Sequence, residues 1–175
     1  MIGILEYVFS TSYVGITFQR GSGLKLVAYA DANYAGKAAD RRSIPGGAVM
    51  CAGACVCWFS RTHKCVTLST TEAEYVTLAD TVKEAMFMRL VWSFILPGFG
   101  AMCVTVFEDN EGARQLAQNP VCTSNSKHID VKHHFLRELV FLGEFIITHF
   151  ESEEQHADLL TKPLANAALC YNRTL

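Results

Sequence analysis

The chain has 175 residues, half of them apolar, and its 15 basic and 17 acidic side chains leave a formal charge of −2 and an isoelectric point near 6.3. That length is enough to bury one substantial core and predicts a single domain. The charge balance argues against a self-sufficient nucleic-acid binder built on a basic face: either the substrate is not nucleic acid, or another domain supplies most of the affinity.

In chain order, residues 24–31 read as a first strand. Arg41-Arg42-Ser43 leads through Ile44-Pro45-Gly46-Gly47 into two short apolar runs, 48–51 and 54–59, which Gly53 separates as an antiparallel hairpin. Ser69-Thr70-Thr71-Glu72 has the form of a capping box, with Ser69 as N-cap and Glu72 reaching back to the backbone N–H of Ser69. From there Tyr75, Leu78, Ala79, Val82, Met86 and Leu90 recur at three- and four-residue steps, which predicts a long helix with these six residues in the core. A turn at 97–100, a strand over 102–107 and a helix from about Asn110 to Gln118 follow, and Asn119-Pro120 breaks that helix. A second helical pattern runs from Ile129 to Leu142, a last strand from Phe145 to Phe150, and a last short helix from Glu153 to Lys162. The order is βββ-α-β-α-α-β-α, an α/β pattern in which the first strand and the strand after the long helix lie side by side and parallel.

The nearest approach to a membrane span, Phe87 to Val106, contains Arg89, Pro97, Gly98 and Gly100, and reads as a helix end, a turn and a buried strand. No basic region precedes an early apolar stretch, and Glu6 interrupts it, so neither export nor membrane attachment is expected. Seven cysteines, an odd number scattered through apolar runs, predict free thiols in a reducing compartment. A zinc set of Cys51, Cys55, Cys57 and His63 is disfavoured. Cys55 and Cys57 alternate within a strand and are expected to share one sheet face, with no second pair opposite. His128, His133 and His134 lack the spacing of a metal-ligating pair. His156 reads as a surface histidine, with proton transfer as the alternative.

Four acids carry the functional information: Asp31, Glu74, Asp109 and Asp158. Asp31 closes the first strand, Glu74 lies one turn into the long helix, Asp109 ends the strand over 102–107, and Asp158 lies in the last short helix. At the carboxyl edge of an open α/β sheet, Asp31, Glu74 and Asp109 converge on one point, and Asp158 joins them if the last helix folds back over the same edge. Four carboxylates together repel one another, which is tolerable where a divalent cation reverses the local charge balance. A pair of Mg²⁺ ions about 4 Å apart, clamping a scissile phosphate, is the two-metal arrangement for phosphodiester cleavage.

The residues also carry a resemblance. Tyr29-Ala30-Asp31-Ala32-Asn33-Tyr34-Ala35-Gly36, Arg41-Arg42-Ser43, Leu68-Ser69-Thr70-Thr71-Glu72-Ala73-Glu74-Tyr75, Asp109-Asn110, Lys127-His128-Ile129-Asp130-Val131, His134-Phe135-Leu136-Arg137-Glu138 and Ala157-Asp158-Leu159-Leu160-Thr161-Lys162-Pro163-Leu164 occur in one order over nearly the whole chain. Together they resemble the ribonuclease H domain of copia-type (Pseudoviridae) LTR-retrotransposon Pol polyproteins. Asn33 stands where the family usually has a second Asp, Tyr34 where it often has Trp, and Glu111-Gly112 where Gln-Ser is common.

The resemblance implies an RNase H-like fold with a mixed five-stranded sheet and a metal centre of Asp31, Glu74, Asp109 and Asp158. Glu74 is preferred to Glu72 because it precedes Tyr75 and because Glu72 already serves the cap. It further implies two Mg²⁺ ions, with Mn²⁺ as a substitute, and an RNA–DNA hybrid as substrate, contacted by Arg41, Arg42, Asn110, Lys127 and His128. The expected partner is the reverse transcriptase domain of the same polyprotein, in an intracellular, virus-like-particle setting. Residues 1–20 read as the tail of that upstream region, 21–165 as the RNase H-like domain and 166–175 as a C-terminal tail. A transposase or resolvase on the same fold is disfavoured by Glu74. The remaining alternative is a degenerate, non-catalytic structural or nucleic-acid-binding module, which the four intact acids oppose.

Overall fold

A computed structural model describes residues 2–18, 20–97, 102–119 and 127–173, with the side chains of all but 2, 127–133 and 173. The elements are α1 (Ile2–Ser10), β1 (Leu26–Asn33), β2 (Ile44–Cys51), β3 (Ala54–Ser60), α2 (Thr70–Ile95), β4 (Val104–Glu108), α3 (Glu111–Gln118), α4 (Lys127–Phe141) and β5 (Phe145–His149). Two 3-10 turns, Ser152–Glu154 and His156–Leu160, and α5 (Asn166–Arg173) follow. The strands form one mixed sheet in the order β3-β2-β1-β4-β5. β1 pairs antiparallel with β2 and parallel with β4, and β4 pairs parallel with β5. This is the expected α/β architecture.

The two sheet faces are covered differently. Leu26, Ala28 and Ala30 of β1, with Val104 and Val106 of β4, meet Tyr75, Leu78 and Val82 of α2, Ala113 and Ala117 of α3 and Leu136 of α4 in the main core. The opposite face carries Tyr29, Met50 and Ala157, with Phe107 and Phe150 against them. There the Tyr29 ring lies 5.0 Å from Phe107 and 4.4 Å from His156, centroid to centroid. Three helices thus cover one face, and the 3-10 turns cover the other.

Several expectations are corrected. Of the six helix residues read as core, the first four are buried, but Leu90 is 63% exposed. A 26-residue helix is about 39 Å long, whereas the eight-residue strands beneath it span about 26 Å, so its C-terminal half outruns the sheet. β2 begins at Ile44 rather than 48, and both its glycines permit close packing. A Cβ on Gly47 would lie 2.5 Å from the Phe59 ring and from the Thr81 hydroxyl.

Cys55 and Cys57 do not share a face. A bulge between Val49 and Met50 sets Val49 opposite Cys57 and Met50 opposite Cys55. Cys55 then packs with Tyr29 and Met50, while Val56 and Cys57 pack into the main core. The extra residue shifts the two-residue alternation. His156 is buried, not on the surface; its Nδ1 donates to Asn172 Oδ1 at 3.0 Å and ties α5 to the domain.

The capping box at α2 forms with its return bond shifted by one residue. Ser69 Oγ accepts from the Glu72 N–H at 3.1 Å, and Glu72 Oε2 accepts from the Leu68 N–H at 2.8 Å. Glu72→Ala is therefore expected to lower stability by about 1 kcal/mol through the loosened helix start, with any cleavage activity retained. Paired urea melts and rate assays check this, and a loss of rate without a loss of stability would contradict the division of labour between Glu72 and Glu74.

Candidate active site

The β1–β4 ladder stops at Tyr29↔Phe107. Beyond it β4 stays with β5, pairing Glu108 with His149, while β1 stays with β2, pairing Asp31 with Gly46. The strands part at their carboxyl ends, and the acids stand in the crevice between them. Asp31 and Glu74 are buried there and Asp109 is half-buried. Each offers a carboxylate oxygen within 4.8 Å of those of the other two, the only such cluster of three or more possible ligands among the described residues.

Each acid is held by a different device. Glu74 accepts a hydrogen bond from the backbone N–H of Ala32, at the end of β1 beyond the β4 ladder, and its Oε2 is buried without a partner. Asp109 Oδ2 accepts from the Ser152 hydroxyl at 2.7 Å. Asp31 Oδ2 accepts a short bond from the Thr161 hydroxyl. Asp158 lies outside the cluster of three. It is buried on the 3-10 turn His156–Leu160, and the Lys162 ammonium stands 2.8 Å from its Oδ1.

The electrostatics fit a cation site. Burial, then Asp158 and Asp109, raises the Asp31 carboxyl to about 6 against the Thr161 bond that lowers it. Burial, then Glu108 and Asp31, pushes Glu74 up to about 11. Lys162 keeps its charge: burial opposes it, but the bond to Asp158 and the fields of Asp31 and Asp109 raise its pKa. A buried cluster of carboxyls with a partnerless oxygen is a hard-oxygen donor set of the kind that Mg²⁺ takes. The residues fit the ion.

Sequence reasoning missed a fifth acid. Glu108 is fully buried; its Oε1 accepts from the Asn110 N–H at 3.1 Å, and its Oε2 has no partner. Burial, with Asp109 and Asp31 nearby, holds its carboxyl well above the usual range. The signal was present. Along β4 the residues Val104, Val106 and Glu108 alternate inward, so the two-residue period places Glu108 on the core face beneath Glu74.

Other expected site residues are more dispersed. Arg41 and Arg42 lie in the loop that leaves the carboxyl end of β1, with Arg42 Nε 3.4 Å from Asp40. Asn110 caps α3, its Oδ1 accepting from the Ala113 N–H at 3.0 Å. Lys127 and His128 begin α4, and their side chains lie outside the described residues. No helix among the described residues is long and apolar enough to cross a membrane.

No family model matches the chain. It is similar to the retrovirus-related Pol polyprotein from transposon RE1 of Arabidopsis thaliana, with 38% identity over 94% of the chain and 11% of that protein. It is also similar to the Pol polyprotein from transposon TNT 1-94 of Nicotiana tabacum, with 34% identity over 91% of the chain and 12% of that protein. The chain therefore spans about a ninth of the length of these curated relatives.

Among solved structures, the N-terminal RNase H domain of a Mycobacterium tuberculosis protein superposes with a TM-score of 0.55 at 16% identity, covering 87% of this chain and 98% of that one. LC11-RNase H1, solved in complex with an RNA/DNA hybrid, gives 0.56 at 17% identity, covering 83% and 99%. A foamy viral protease-reverse transcriptase, also with an RNA/DNA hybrid, gives 0.55 at 13% identity over 91% of this chain and 21% of that one. The chain has the RNase H fold.

Proposed function

Because the chain belongs to the ribonuclease H domains of copia-type retrotransposon Pol polyproteins, we propose that it is a Mg²⁺-dependent endoribonuclease that hydrolyses the RNA strand of RNA–DNA hybrids during reverse transcription. The observation that carries this reading is the crevice between β1 and β4, where Asp31, Glu74 and Asp109 bring oxygens within 4.8 Å of one another. Bound Mg²⁺ supplies Lewis-acid stabilisation of the charge that develops on a scissile phosphate.

The chain's own residues do the rest. Asp31, Glu74, Asp109 and Asp158 hold the ions, with Mn²⁺ able to replace Mg²⁺. Glu108, buried beside them, adds to the repulsion that opposes the charge of Glu74 and that a bound cation would offset. Arg41, Arg42, Asn110, Lys127 and His128 are the proposed hybrid contacts. Preference for RNA then rests on 2′-hydroxyl and shape recognition in a wide minor groove, not on base sequence. The products end in 5′-phosphate and 3′-hydroxyl.

The proposed partner is the reverse transcriptase region of the same polyprotein. In support, the described side chains of α1 are exposed, including Ile4, Leu5, Val8 and Phe9, so this apolar helix has no cover from the domain itself. The low net charge fits the same arrangement, in which a tethered domain raises the effective concentration of hybrid without adding contacts here.

A labelled hybrid on a gel, with Mg²⁺ and with chelator, tests the function directly. Cleavage confined to the RNA strand and to the Mg²⁺ lanes is expected. No cleavage together with no ion binding would leave the non-catalytic module as the reading. Cleavage by residues 1–175 alone is expected to be inefficient and strongly suppressed as salt rises, since hybrid affinity comes mainly from phosphate neutralisation. Tight, salt-insensitive binding in a filter assay would contradict that account.

A further inference from the structure

We propose that Thr161 is a positioning residue of the metal centre: its hydroxyl holds one carboxylate oxygen of Asp31, leaves the other to the ions, and sets the spacing between Asp31 and Asp158. This rests on the reading of the four acids as a metal centre and adds a residue outside the ligand set.

Thr161 is buried, and its hydroxyl donates to Asp31 Oδ2 across 130 positions of sequence. The same residue's backbone N–H donates to the Asp158 carbonyl at 3.1 Å. One residue therefore touches the side chain of one acid and the backbone of the other. A carboxylate with one oxygen engaged in a fixed bond is restrained in rotation, and its other oxygen, with all its lone pairs uncommitted to that bond, is the one more open to an ion.

The surroundings fix Thr161 itself. Asn33 Nδ2 donates to its carbonyl at 3.2 Å, and Ser60 Oγ donates to the preceding carbonyl of Leu160 at 2.6 Å. Gln155 Nε2, at the start of the same turn, donates to the Ala30 carbonyl at 3.0 Å. Beneath the turn lies Gly46, the β2 residue paired with Asp31. A Cβ there would lie 2.6 Å from Thr161 Cγ2 and 2.8 Å from Leu160 Cβ. The sheet thus omits a side chain where the turn must lie closest. The branched side chain suits the place: its methyl sits over Gly46 while its hydroxyl faces Asp31, and branching at Cβ leaves few rotamers to choose from.

Asn33 also acquires a reason. An ionised carboxylate at that position could only accept, and would set one acceptor against another at the Thr161 carbonyl, whereas the amide N–H donates to it.

The test compares wild-type chain with Thr161→Val, which keeps the shape and removes the hydroxyl, and Thr161→Ser, which keeps the hydroxyl. Mn²⁺ binding to the free protein is measured by calorimetry, and the Mg²⁺ concentration for half-maximal hybrid cleavage is measured in parallel. Thr161→Val is expected to weaken Mn²⁺ binding about tenfold, as for other groups that orient metal ligands, and to raise the Mg²⁺ requirement in proportion. Thr161→Ser should stay within about twofold of wild type. In an Asp31→Asn background, Thr161→Val should add nothing.

Unchanged Mn²⁺ affinity in Thr161→Val, or an equal loss in Thr161→Ser, overturns the proposal. Should Thr161→Val fail to fold by circular dichroism, Asn33→Ala, which frees the same turn, is expected to weaken Mn²⁺ binding about threefold; no change there overturns it equally. A wild-type chain that binds no Mn²⁺ at all would instead overturn the metal-centre reading.

Discussion

Glu74→Gln is expected to abolish hybrid cleavage while leaving the apo domain as stable as wild type or more so. Glu74 stands at the crowded centre of the site: burial, then Glu108, Asp31 and Asp109, all oppose its charge. The amide keeps an oxygen to accept the Ala32 N–H and removes one acid from that repulsive group. What it cannot do is supply an anionic ligand. Loss of one electrostatic stabiliser from a preorganised, water-poor site lowers rates by roughly 10²- to 10³-fold, and here the effect should reach at least that size. Single-turnover cleavage at saturating Mg²⁺, with urea melts in chelator, separates the two effects. Near-wild-type cleavage would remove Glu74 from the site. A large loss of stability would mean that the carboxylate is structural.

The second large effect concerns pH in the absence of divalent ions. Folding raises Asp31 from 3.8 to about 6 and Glu74 from 4.5 to about 11. The folded chain then holds protons that the unfolded chain releases, so these groups contribute stability that is fully present below their unfolded values. Asp31's share is lost as pH rises through about 6, and Glu74's continues to fall through neutrality and beyond. Each proton involved contributes a slope of about 1.4 kcal/mol per pH unit. Apo stability is therefore expected to fall steadily between about pH 5 and about pH 8, and Mg²⁺ to flatten the fall by taking the place of the protons. Urea melts across that range, with chelator and with Mg²⁺, check it. A flat apo profile would mean that water reaches the carboxylates and screens them.

The legible part of this protein was what neighbours in sequence decide. The capping box over 69–72 predicts the start of α2, and the run ending at Asp31 predicts β1 to within two residues. Motif context picked out Asp31, Glu74, Asp109 and Asp158; the fold gathers the first three in one crevice and leaves Asp158 outside that cluster, paired with Lys162. Propensity and periodicity act over a turn or a strand, so they reach that far.

What lay beyond them depends on contacts between distant segments. The two faces of β3 followed from one bulge, whose position is set by pairing with β2. Exposure of Leu90 followed from where the sheet ends beneath α2. The segment over 153–162 has the composition of a helix, but Gln155, Asn33, Ser60 and Thr161 pin it to the sheet as 3-10 turns. Thr161 and Asp31 are separated by 130 positions, and Asn33 and Thr161 by 128. No local propensity encodes which residue will close such a gap. The tertiary structure decides it, because a buried carboxylate leaves an oxygen unsatisfied unless a donor from elsewhere in the chain is brought within reach.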